Sequence, residues 1–304
     1  MSYDLFFVKP GFTYKQFTSY FSDRSNFTLS GKEAEYFNED TGVAFVFYYP
    51  DTEPDETDDE KIETCAAFNI NYNRPHYFAL EAEPEVRRFV EHFELEIHDP
   101  QIDGIKGGKY DSKDFVRGWN AGNKFAFKVF EKQLDEGAIS LTPFFKRPTE
   151  ELDKIWKWNY ARNDYQNKLG DNIFVPKITF NVLDQKLYSV AVWSDAIPTL
   201  IPQVDLIAIM KMSLASRPPL RRRKYLSRRK PPKKKDELYF STLGEVKPLI
   251  EQYETHDYAL PAYRLNYTSP PAAIIKFVKS CKPFTGEGYF VDIYDVLNEE
   301  LFSK

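Results

Sequence analysis

One stretch limits the architecture of this chain more than any other. The run 217–235 (RPPLRRRKYLSRRKPPKKK) holds eleven Lys or Arg in nineteen residues and no acid. It cannot be core, because desolvating so many like charges is prohibitive and they repel one another. Pro218, Pro219, Pro231 and Pro232 exclude a regular helix or a central strand. The run therefore reads as an exposed, mobile loop held away from a body of opposite charge.

That body is acidic throughout. Residues 1–145 carry 15 basic and 27 acidic side chains, residues 146–304 carry 26 and 19, and the run alone accounts for the reversal. A chain of 304 residues exceeds the size at which a single core usually stops growing, so two domains or fused subdomains are expected. The 26 Phe and 20 Tyr provide large, rigid side chains that suit both cores and binding surfaces.

Cys65 and Cys281 lie far apart among apolar neighbours and read as reduced, buried thiols of a cytoplasmic protein. The start has no basic segment ahead of an apolar one, so no signal peptide is expected. No apolar run is long enough to span a membrane.

Taken in order, 3–9 reads as a buried strand, 13–21 as a helix with one aromatic face, and 26–29, 33–37, 43–49 and 64–72 as strands. In the last of these Ala66, Phe68 and Ile70 alternate with Asn69 and Asn71. A helix is expected over 83–93 and a short strand over 95–98. This order is α+β, with a ferredoxin-like or related mixed sheet in the N-terminal half as the nearest architecture. Long helices follow over about 111–134 and 149–169, the first with Gly118 and Gly122 placed for close approach of another element. Strands at 173–181 and 187–193 flank a hairpin at 183–185. A strand at 206–210, a further strand and helix after the basic loop, a helix at 270–278, a strand at 289–293 and a terminal helix at 296–302 complete the chain. The domains expected are an N-terminal α+β domain 1–110, two long connecting helices over 111–170, and a C-terminal α+β domain 171–304 carrying the exposed loop 217–235.

Catalytic and cofactor motifs leave no trace. The Gly-rich segment 99–109 matches neither a phosphate loop nor GxGxxG and reads as a linker. HExxH and GxSxG are absent, and four scattered His with two Cys offer no zinc spacing. The acidic stretch 51–60 lacks the order of an EF-hand. Neither a metal nor another cofactor is expected. Carboxylates are so numerous that no pair of them singles itself out as catalytic.

Two readings of different class follow. In the first, an acidic, aromatic-rich body captures a basic protein through complementary fields. Residues 1–8 (MSYDLFFV), the aromatic strand 43–49, 71–75 (NYNRP) and 296–301 (VLNEEL) resemble cytosolic bacterial proteins of toxin–immunity loci. The resemblance covers both ends and the middle of the chain. It implies a non-enzymatic protein that protects its producer by occluding a protein toxin, and it carries no functional residue across. The contact residues expected are Asp51, Glu53, Asp55, Asp58 and Asp59 on the acidic stretch and Arg221, Arg222, Arg223, Arg228 and Arg229 on the basic one. The second reading takes 217–235 as a nucleic-acid arm, neutralising phosphates with Tyr225 available to stack on a base. The acidic body opposes that reading by repelling the same phosphates.

Overall fold

The first strand shows the rule that builds the N-terminal unit. In a computed structural model of the chain, β1 (Ser2–Val8) buries Tyr3, Leu5 and Phe7 and leaves Ser2, Asp4, Phe6 and Val8 half-exposed. Side chains on a strand point to alternate faces, so this pattern marks a sheet with one covered face. The structure describes residues 1–50, 64–135, 145–211, 238–253 and 255–302. The chain falls into two compact units, one of Met1–Asp153 with Ile293–Lys304, the other of Lys154–Asp292.

In the first unit, β1 is followed by α1 (Tyr14–Phe21), β2 (Phe27–Ser30), β3 (Glu33–Phe37), β4 (Ala44–Tyr48), β5 (Ala66–Asn71), α2 (Tyr77–Phe93), β6 (Glu96–His98), β7 (Gly107–Gly108), α3 (Ser112–Asp135), β8 (Phe145–Arg147) and the start of α4 (Thr149–Tyr160). The seven-stranded sheet runs β2-β3-β4-β5-β1-β6-β7, and every neighbouring pair is antiparallel. Its inner four strands, β6-β1-β5-β4, with α1 after β1 and α2 after β5, have the ferredoxin-like order. The hairpin β2–β3 extends this core on one side and β7 on the other.

Sequence dictates the local starts. Thr13 caps α1 by accepting from the Gln16 amide at 3.3 Å, and the Gln16 side chain accepts from the Thr13 amide at 2.9 Å. This reciprocal box satisfies two otherwise orphaned donors. The helices then cover one face of the sheet. Phe89 of α2 packs on Phe7 and Phe47 at ring separations of 5.2 and 5.1 Å and on Phe21 of α1 at 5.5 Å. Phe115 of α3 meets Tyr3 and Phe68 at 5.4 and 5.9 Å.

The small residues of α3 have the packing role their spacing suggests. A Cβ on Gly118 would come within 2.6 Å of the Gly104 Cα, and one on Gly122 within 2.1 Å of the Tyr72 hydroxyl oxygen. Gly104 is itself pressed against Asp99, whose carboxylate accepts from the Tyr3 hydroxyl at 2.6 Å and the Ile105 amide at 2.7 Å. The Gly-rich segment is thus a folded turn ending in β7.

Several boundaries differ from the sequence reading. Helix α2 begins at Tyr77 and carries Pro84 inside it. The expected helix over 149–169 is two helices, α4 and α5 (Arg162–Leu169), divided at Ala161 and closed at Gly170 with φ +69°. Only the end of the expected terminal helix is helical: β17 (Val296–Asn298) pairs in parallel with β8, and a 3-10 helix over Glu299–Phe302 follows. The compact units divide within α4 and return the C-terminus to the first unit, whereas the sequence reading drew its lines at 110 and 170. Pairing of β17 with β8 joins segments about 150 residues apart, which local periodicity cannot foresee.

The second unit adds β9 (Ile178–Leu183), β10 (Lys186–Ser194), β11 (Leu200–Pro202), β12 (Leu206–Met210), β13 (Tyr239–Thr242), α6 (Leu243–Ile250), β14 (Thr255–Asp257), β15 (Pro261–Arg264), α7 (Ala272–Ser280) and β16 (Gly288–Val291) to α5. One sheet runs β13-β12-β10-β9-β16 with β10 and β12 parallel; a second runs β11-β15-β14. The hairpin β9–β10 turns on Asp184 and Gln185, with φ +47° and +67°, values that suit a two-residue turn matching the strand twist. Within this unit Asn159 exchanges two hydrogen bonds of 2.9 Å with the backbone of Ile178. The chain is therefore α+β in both parts.

Candidate functional site

Among the described residues of this unit, the other face of the N-terminal sheet carries the half-buried and exposed side chains of its strands. Strand register aligns its side chains into rows. One row runs Ser30, Glu33, Tyr48, Ala67, Phe6, His98 across six strands, a span of roughly 24 Å at the ordinary strand spacing. The next runs Thr28, Glu35, Val46, Asn69, Asp4. A third pairs Phe37 with Ala44 and Asn71 with Ser2.

The chemistry of these rows is one-sided. The outward positions of β1 to β6 carry Asp4, Glu33, Glu35 and Glu96 and not a single Lys or Arg. Among the carboxylates lie apolar and aromatic side chains, with Phe37 51% exposed. Glu33, Glu35, Phe37, Val46, Tyr48 and Asn69 line a shallow depression of about 360 Å³. Asp4 is pre-oriented: one oxygen accepts from Asn69 Nδ2 at 2.5 Å and the other from the Ser2 hydroxyl at 3.0 Å. Partial burial, then Glu33, Asp4 and Glu35, push the Tyr48 phenol above its ordinary value. It stays neutral and offers its O–H in a negative field. Phe6 and His98 set their rings 6.2 Å apart at the far end of the first row.

This arrangement has the charge and apolar surface to hold a cationic group. Fixed carboxylates meet ammonium and guanidinium groups, and the interspersed rings and aliphatic side chains exclude water around them.

The carboxylates chosen from sequence, Asp51, Glu53, Asp55, Asp58 and Asp59, lie outside the described residues, as do Arg221, Arg222, Arg223, Arg228 and Arg229. In chain order the acidic stretch falls between β4 and β5, strands that pair with Tyr48 opposite Ala67. The run 217–235 lies between β12 and β13, which pair directly with Ile209 opposite Tyr239. Sequence reasoning missed Asp4, Glu33, Glu35 and Glu96. Their alternation with buried residues was visible, but membership of one face depends on which strands pair.

Two polar clusters on the other side of the sheet are structural in form. Glu81 of α2 is 2% exposed, and one of its oxygens accepts from the Tyr36 hydroxyl, Asn38 Nδ2 and the Thr41 hydroxyl at 2.9, 2.8 and 3.0 Å. It ties the β3–β4 turn to α2. At the start of that helix, His76 Nδ1 faces Asn298 Nδ2 at 2.7 Å, and Asn298 Oδ1 accepts from the His76 amide at 2.9 Å. Asn298 Nδ2 also donates to the Thr149 hydroxyl at 2.8 Å, and Glu300 accepts from the Thr149 amide and hydroxyl. A carboxylate at the first turn of α4 opposes the helix dipole favourably. Burial lowers the His76 pKa, against the opposing pull of Asn298 and Asp153. The ring is thus held neutral, and the Thr149 hydroxyl is committed to Glu300. The cluster fastens the returning C-terminus to two helix starts.

Cys65 and Cys281 are free and half-buried, and burial pushes the Cys65 thiol up to about 11. Among the described residues no three His, Cys, Asp or Glu converge as a metal set, and no helix is long and apolar enough to cross a membrane. No family model matches the chain, and comparison with curated proteins and with solved structures gives no significant match.

Proposed function

We propose that the chain is a non-enzymatic binding protein of the immunity type, whose open N-terminal sheet face occludes a basic surface on a protein toxin. The observation that supports this reading is the pair of rows containing Asp4, Glu33 and Glu35, set among Phe6, Val46 and Tyr48, with no cation on the outward strand positions. A rigid sheet presents these groups without the ordering cost of a loop. Long-range attraction then speeds encounter, and the central apolar groups hold the complex. A bacterial source and cytoplasmic placement belong to this same proposal.

The test is co-expression with the protein encoded by the neighbouring gene, followed by pull-down and calorimetry at low and at physiological salt. The expected result is a one-to-one complex that Asp4→Lys, Glu33→Lys and Glu35→Lys together weaken by at least about a hundredfold, with a steep salt dependence. A complex indifferent to that triple reversal, or no complex at low salt, removes the reading. Mobility shift of a DNA or RNA duplex that is lost when Arg221, Arg222 and Arg223 become Gln would instead favour the nucleic-acid arm.

A further inference from the structure

The outward side of α3 carries a second, oppositely charged surface. Lys113, Arg117, Lys124 and Lys128 are all exposed. Their spacings of four, seven and four residues place them within one narrow stripe of an α-helix, running roughly 22 Å along its axis at 1.5 Å per residue. Arg117 is held by Asp114 and by the carbonyl oxygens of Asp103 and Gly104. Lys113, Lys124 and Lys128 have no hydrogen-bond or ion-pair partner among the described residues.

Beside this stripe lie two apolar depressions that meet at Ala121. One, of about 800 Å³, runs between α3 and α2 along Leu80, Val116 and Ala121 and is rimmed by Lys113, Arg117 and Lys124. The other, of about 530 Å³, is bounded by Met1, Ile102, Ala121 and Phe125. Met1, Ile102 and Phe125 are 63, 88 and 63% exposed. Three large apolar side chains gathered at one groove exceed what scattered surface hydrophobics explain and mark an interaction site.

We propose that this face of α3 is a docking groove for an acidic amphipathic helix of a protein partner. The apolar positions of such a helix, at i, i+3, i+4 and i+7, would fill the two depressions. Its flanking carboxylates would meet Lys113, Lys124 and Lys128. Charge complementarity chooses this occupant. A basic or neutral helix would leave the lysines opposed or unmatched. A nucleic-acid backbone would meet exposed apolar groups and the carboxylates of Glu83, Asp103 and Asp114. The surface is centred on α3, with Ser2 of the sheet at the rim of its second depression, and its occupant carries the opposite charge.

The experiment uses the full chain and a fluorescent synthetic peptide of about 18 residues, roughly five helical turns. The peptide carries Leu at the i, i+3, i+4, i+7 positions and Glu on both flanks, and binding is read by anisotropy at low salt. Saturable binding is expected. It should weaken by at least about tenfold in a Lys113→Glu, Lys124→Glu, Lys128→Glu variant, and separately in Ile102→Ser with Phe125→Ser. All five positions are surface-exposed, and a circular-dichroism melt matching the parent excludes misfolding. Ala121→Arg, which blocks the meeting point of the depressions, should abolish binding and gives a second test of the same groove. Absence of saturable binding overturns the proposal. So does binding unchanged by these variants, or an equal affinity for the same peptide with Lys in place of Glu. Concentration-dependent dimerisation lost in the same variants would assign the groove to a second copy, and tighter binding of duplex DNA would assign it to nucleic acid. Either outcome also overturns it.

Discussion

The two faces of the N-terminal sheet are made by the same strands and have opposite characters. Within β4, Phe45 and Phe47 are buried under α1 and α2, while Ala44, Val46 and Tyr48 look outward beside Glu33 and Glu35. Within β1, Tyr3, Leu5 and Phe7 go one way and Asp4 and Phe6 the other. The carboxylates differ in the same sense. Glu81, on the covered side, spends its charge on three internal donors, whereas Glu33 and Glu35 keep theirs available at the surface. One face therefore carries stability and the other is the one proposed for recognition, separated by a single step along each strand.

Breaking the covered face should have the largest effect. Phe47→Ala removes a fully buried ring that meets Phe7, Phe21, Phe68 and Phe89, and should lower unfolding free energy by about 3–5 kcal/mol in denaturant titration. Val46→Ala, one residue away on the open face, should cost under about 1 kcal/mol. Equal costs would mean that the open face is packed in solution. Glu81→Ala comes next, at roughly 3 kcal/mol, because Tyr36, Asn38 and Thr41 are left with buried, unmatched donors.

The His76 cluster sharpens the comparison through pH. Burial makes the folded ring bind its proton more weakly than the unfolded one, whose ordinary value is 6.5. Its contribution is fully present above that value and is lost as pH falls from there toward the folded value. Thermal melts between pH 7 and 5 should show declining stability, with a shallower decline in His76→Gln. A slope unchanged by that substitution would assign the acid sensitivity to other groups.

The smallest effect on stability is expected from Glu33→Lys with Glu35→Lys. Both are outward-facing, and the change should stay within about 0.5 kcal/mol per site while binding of a basic partner collapses. A large stability loss would place these carboxylates among the structural groups and end the division between the faces.

Much of the architecture is legible from local chemistry. Thr13 and Gln16 announce the start of α1, Asp184 and Gln185 sit where the hairpin turns, Gly170 ends α5, and Gly118 and Gly122 lie where α3 meets Gly104 and Tyr72. The site was less legible. Charge counting drew attention to 51–60 and 217–235, the densest runs, whereas the rows of the open face are assembled from carboxylates that look unremarkable one at a time. The stripe on α3 follows helical spacing and was within reach of sequence reading. The depressions beside it were not, since they need Leu80, Ile102 and Met1 brought next to the helix.

Composition and periodicity alone determined that this chain is an acidic α+β protein with aromatic cores and strands of alternating character, because those properties are local to each segment. Only the tertiary structure decided that β1 lies between β5 and β6, that Asn298 returns to His76, and that Asp4 shares a face with Glu35. These choices depend on pairings between distant residues, where the free energy comes from burying whole faces together rather than from the preference of any one stretch.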